Sequence, residues 1–113
     1  MKAINTQCPA EFTLAIIGGR WKIPIIFHLL AGRKRFSVLS RAITGVTQKM
    51  LTQQLREMER NGLVRRQVFA QVPPKVEYSL TDLGTSLEPV VEAMCRWGEA
   101  HGVKRLAAEV VRG

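Results

Sequence analysis

Leu51, Leu55 and Met58 stand at i, i+4 and i+7, one stripe of an α-helix, while Gln48, Lys49, Thr52, Gln53 and Arg56 fall together on the opposite side. Thr47 precedes this segment as an N-cap and Asn61-Gly62 closes it. In the segment before it, Phe36, Leu39 and Ile43 recur with helical spacing, Ser37 is the expected N-cap, and Thr44-Gly45-Val46 breaks the chain. Further upstream, Pro9 opens a short helix with Leu14, Ile16 and Ile17 on its apolar side, and Gly18-Gly19 ends it. Trp21 to Leu30 reads as a mostly buried helix. It tolerates Pro24 only because first-turn amides have no partner to lose.

After Gly62 the period changes from helical to alternating. Leu63 to Val72 is rich in β-branched residues, and Val76, Tyr78 and Leu80 alternate with Glu77 and Ser79, predicting two antiparallel strands joined at a stiff Pro73-Pro74 tip. Thr81 then caps one long helix with Leu83, Leu87, Val90, Val91, Met94 and Trp97 as its apolar stripe, and 103–111 adds a short helical piece. A length of 113 residues fits one domain. The predicted class is mainly α with a small β-hairpin wing (α+β), a winged helix-turn-helix. Its helix-turn-helix spans about 36–60 and its wing about 63–80, with terminal helical segments at about 9–17 and 82–111.

Charge then narrows the partner. Lys and Arg number 17 against 9 Asp and Glu, a formal +8. The surplus is local: Phe12 to Arg56 holds eight bases and no acid, while from Glu77 onward six acids face four bases. Solvated surfaces mix their signs, so a one-sided stretch reads either as a phosphate-facing side or as an idle basic face. The longest apolar stretch, Ile23 to Leu30, is too short to span a bilayer and carries Pro24 and His28, so no membrane partner is expected. Met1 to Asn5 shows no signal-peptide pattern, and Cys8 and Cys95 form no C-x-x-C, so the expected location is cytoplasmic.

The polar side of the 48–56 segment has major-groove chemistry. Gln pairs bidentately with adenine, Lys and Arg with guanine, and Thr meets a base edge or a thymine methyl. Gln71 and Lys75 flank the wing tip, and the basic loop Arg33, Lys34 and Arg35 precedes the first helix of the pair, all placed to meet backbone phosphates. Each part alone has a plain structural explanation. The order of helix, glycine turn, polar-faced helix, hairpin and apolar helix on a basic background points to double-stranded DNA. The alternative is a winged helix used for protein contacts. No H-E-x-x-H, P-loop, G-x-G-x-x-G or G-x-S-x-G motif is present, so no enzyme is expected.

Three motifs then carry a family resemblance. Cys8-Pro9 followed by Ile17-Gly18-Gly19-Arg20-Trp21-Lys22, the run from Gln48 to Glu57, and the run from Val72 to Thr81 together resemble the HxlR family of regulators, relatives of the MarR type. The resemblance covers about residues 8–101. It implies a winged helix that binds a palindromic operator as a homodimer built by terminal helices, with the recognition helix at Gln48 to Glu59 and the wing at Ala70 to Lys75. Some relatives of this type use an N-terminal cysteine to sense oxidants or electrophiles.

Cys8 occupies the corresponding place, at a helix N-terminus whose dipole favours an anionic sulfur, with Glu11 acting against it. Either it is a redox-sensing residue or it is a small apolar residue packed near an interface. A small-molecule inducer in a dimer-interface pocket is the other control left open. Leu83, Leu87, Val91, Met94 and Trp97 exceed what so small a core covers and form the expected dimer interface, unless that helix packs wholly within the monomer. Cys95, beside Met94, is expected in the core. His28 and His101 lack clustered partners, so neither a metal nor another cofactor is expected.

Overall fold

The computed structural model describes residues 8–102. Its elements run α1 (Pro9–Ile17), α2 (Lys22–Leu30), β1 (Lys34–Arg35), α3 (Phe36–Ala42), α4 (Gln48–Arg60), β2 (Val64–Phe69), β3 (Lys75–Leu80), α5 (Asp82–Thr85) and α6 (Glu88–His101). The helices enclose one core in which Ile25, Ile26, Leu39, Leu51, Leu55, Met58, Leu63 and Val91 are almost wholly shielded from solvent. Each such side chain contributes roughly 1.5–3 kcal/mol. Burial of the Leu51, Leu55 and Met58 stripe therefore decides which side of α4 is left outside.

Thr47 caps α4 as its sequence position implies, its hydroxyl accepting from the Met50 amide at 3.1 Å. Gly45 supplies the turn between α3 and α4 at φ +87°, a conformation side-chain-bearing residues seldom adopt. It sits beside Trp21, which belongs to the core.

The sheet holds three antiparallel strands in the order β1-β3-β2, one more than the expected hairpin. Lys34 and Arg35, expected in a loop, pair with Tyr78 and Glu77. Because the chain enters α3 straight from this extended pair, Arg35 is the N-cap and Ser37 lies inside the first turn, contrary to its expected capping role. β2 and β3 pair from Val64↔Leu80 to Phe69↔Lys75, leaving residues 70–74 as the tip, with Val72 fully exposed.

The expected single long helix after Thr81 is broken. Thr81 does cap a helix, accepting from the Gly84 amide at 3.0 Å, but that helix is only the short α5. Pro89 lacks an amide proton and fits the first turn of a new helix, so α6 starts afresh at Glu88. The piece expected at 103–111 lies outside the described residues. Cys95, expected in the core, is exposed. Only Val91 of α6 is fully buried, so the helix presents one narrow seam inward. Among the described residues no single helix is long and apolar enough to cross a membrane.

Candidate nucleic-acid interface

On α4 the structure brings Gln48, Lys49, Gln53 and Arg56 to the surface as exposed side chains, with Thr52 half-buried among them. The helix is held against the core from behind by its apolar stripe and from the side by an ion pair. Lys22 Nζ on α2 donates to Glu57 Oε1 on α4 at 2.8 Å. The Lys22 side chain is 6% exposed and that of Glu57 37%. The hydrogen bond from Lys22 is the main reason the Glu57 carboxyl is held below the usual carboxylate range. Desolvation opposes it, and the charges of Lys22 and Arg60 add to it. Lys22 was one of the eight bases in the acid-free stretch, yet it is buried and cannot face a phosphate.

The remaining basic residues divide into paired and unpaired groups. Glu77 on β3 engages Arg33 at 3.6 Å and Lys75 at 3.3 Å. Lys75 also lies over the Phe69 ring, 5.1 Å from its centroid. Lys34 is half-buried beside the Gly32 carbonyl, at 3.5 Å, while Arg35 and Gln71 are exposed. Arg33 of the basic loop and Lys75 at the wing tip thus share one carboxylate.

Arg66 escaped the reading of the sequence. Strand parity is the signal that marks it: Arg66 has the parity of Val64 and Val68 and pairs with Tyr78, so it shares the inner face of the hairpin. There a groove of about 570 Å³ opens between α4 and the hairpin, with Thr52, Arg56, Glu59, Arg66 and Tyr78 in its lining. Arg65, one residue earlier, lies on the other face of the sheet.

Cys8 is the N-cap residue of α1. Its carbonyl accepts from the amides of Glu11 and Phe12, at 3.0 and 3.2 Å, while its thiol is exposed and caps nothing. Of the residues expected at a dimer interface, Val91 is spent in the chain's own core and Leu87 packs partly against it. Leu83, Met94 and Trp97 are 57%, 51% and 63% exposed, and Phe12, Leu14 and Phe27 are exposed large apolar residues as well.

A glycine-turned helix pair, a second helix with a solvent-facing polar side, and a β-hairpin beside it define a winged helix-turn-helix of the kind that transcriptional regulators use to bind DNA. The chain belongs to the HxlR-like helix-turn-helix family, whose model matches residues 16–105. It is 54% identical over 94 residues to the uncharacterized HTH-type transcriptional regulator YybR of Bacillus subtilis (strain 168), covering 83% of this chain and 75% of that one. The solved redox regulator HypR in its reduced form aligns with a TM-score of 0.83 and 49% identity over 90% of this chain and 99% of its own. Diamide-treated YodB from B. subtilis aligns with a TM-score of 0.71 and 38% identity, over 86% and 97% of the two chains. The chain is accordingly a transcriptional regulator of MarR-like type, not an enzyme.

Proposed function

We propose that the protein is a cytoplasmic regulator that binds a palindromic DNA operator as a homodimer through Gln48, Lys49, Thr52, Gln53 and Arg56, the first four reading bases. The observation that carries this is the acid-free set of those five residues, four exposed and Thr52 half-buried, on a helix whose opposite side is locked into the core. Gln71, Arg35 and Lys34 add contacts from the hairpin and its neighbouring strand, and Arg33 and Lys75 exchange Glu77 for phosphate on binding. Leu83, Met94 and Trp97, joined by exposed residues of α1, form the surface that a second copy covers, with Leu87 at its edge and Val91 supporting it from within. Two-fold symmetry then sets the two α4 helices one DNA turn or a multiple of it apart, about 34 Å per turn.

The test is titration of labelled operator and random duplexes at several salt concentrations. Substitution of Gln53 by Ala is expected to cost roughly 1–3 kcal/mol of discrimination at one position of each half-site. Equal binding of all duplexes by the wild-type protein is the result that defeats the proposal.

A second reading concerns control. Cys8 is exposed at the start of α1, and the similar HypR and YodB are described in oxidised, reduced or diamide-treated forms. Oxidation of Cys8 to a disulfide with a second thiol, two electrons and two protons passing to an oxidant such as diamide, is a switch compatible with that position. An inducer bound at the dimer interface would act on the same surface.

A further inference from the structure

We propose that Arg56 and Arg66 together hold one backbone phosphate of the bound duplex, in the groove between α4 and the hairpin. This rests on the DNA-binding role above and adds a contact that the wing tip does not supply and that the helix face makes only together with β2. Both arginines belong to the lining of the same groove, one from α4 and one from β2. Neither has a carboxylate within ion-pair distance among the described residues, in contrast to Arg33, Lys75 and Lys22. Two unpaired guanidiniums facing one space repel each other, and an anion between them removes that repulsion. A phosphodiester suits them because its two non-bridging oxygens, which share one negative charge, accept from both planar forks.

The groove favours DNA as the source of that phosphate. Glu59 also lines it, so the lining carries a single net positive charge, too little for an open groove to retain a free phosphate dianion. A phosphodiester carries one negative charge and is delivered when α4 docks. Thr52 and Arg56 lie both in the groove and on the exposed side of α4, so a strand following that helix passes the groove mouth. The strand pairing holds Arg66 in place: its residue pairs with Tyr78, which in turn pairs with Lys34, so a three-strand row supports it.

The experiment is fluorescence anisotropy of a labelled operator and a random duplex over a salt series, with wild-type protein and the variants R56Q, R66Q, R56Q/R66Q, R66K and R65Q. R66Q is expected to bind both duplexes more weakly by on the order of tenfold, with operator preference unchanged. Because one phosphate is shared, the double variant loses about 0.9 from the slope of log affinity against log salt, where two separate phosphates give about 1.8. R66K keeps most of the slope, and R65Q, on the other face, matches wild type.

Wild-type behaviour of R66Q overturns the inference while leaving the DNA-binding role intact, and so does a double-variant loss near the larger value. A wild-type protein that binds no duplex overturns both. Inorganic phosphate added at matched ionic strength is expected to displace DNA no better than chloride. Displacement by phosphate that disappears in R66Q assigns the groove to a free phosphate and overturns the DNA contact.

Discussion

Lys22, buried at the start of α2, and Glu57, on the flank of α4, are joined at 2.8 Å across 35 residues of sequence, and this pair pins α4 to the helix behind it. The two partners are unequal. Removing Glu57 strands an ammonium group in the core, whereas removing Lys22 leaves a carboxylate that already reaches water. Glu57→Gln is therefore expected to cost about 2 kcal/mol and Lys22→Met about 1 kcal/mol or less, measured by urea unfolding. Equal losses, or the reverse order, contradict the assignment of Lys22 as the buried partner.

The same pair sets a pH dependence. Because the folded protein holds Glu57 below its unfolded value, its contribution is fully present above the unfolded carboxylate range and is lost as pH falls through the folded value. Unfolding midpoints of wild type and Glu57→Gln are expected to converge on acidification below the ordinary glutamate range. Parallel curves down to the acid transition contradict this.

Gly84 is required by packing. A Cβ there would lie 2.2 Å from the Leu63 carbonyl oxygen, where α5 crosses the start of β2. Gly84→Ala is expected to destabilise the fold by about 1–3 kcal/mol, since backbone must move to admit the methyl group. Thermal unfolding measures it, and a neutral result shows that the α5 junction is looser than described.

The exposed apolar surface predicts assembly. Met94→Glu combined with Trp97→Glu places charge on a surface that a second copy is proposed to cover, and sedimentation is expected to shift from dimer to monomer with the fold retained. A dimer that survives both changes moves the interface elsewhere.

Cys8 offers a sharper outcome. Diamide is expected to weaken operator binding by the wild-type protein and to leave Cys8→Ser unaffected. Equal loss in both assigns any thiol response to Cys95 or to damage, and no loss in either removes oxidation as the signal.

Much of this organisation was legible in the sequence because the informative features are local and periodic. The α4 stripe, its Thr47 cap, the Gly45 turn and the alternation of β3 each depend on residues within a turn or two of one another. Long-range pairing was not legible. Nothing in Arg33-Lys34-Arg35 itself announces a third strand, which exists because β3 has a free edge beside it. Lys22 reads as one more base until α2 and α4 are packed together. Pro89 did carry the signal for the break before α6, and the parity of Arg66 with Val64 and Val68 carried the signal for the groove. Cys95 turned out exposed because an apolar stripe marks the residues able to be covered, while packing decides which of them are.

The most direct test of the central claim is selection of bound fragments from a random pool of duplex DNA, followed by sequencing. Base reading by α4 in a two-fold dimer predicts enrichment of an inverted repeat whose half-sites lie about 10–10.5 base pairs apart, or a multiple of that, with the preference relaxed at one position per half-site in Gln53→Ala. A pool that emerges without a common sequence, or with one that Gln53→Ala leaves unchanged, contradicts base reading by α4.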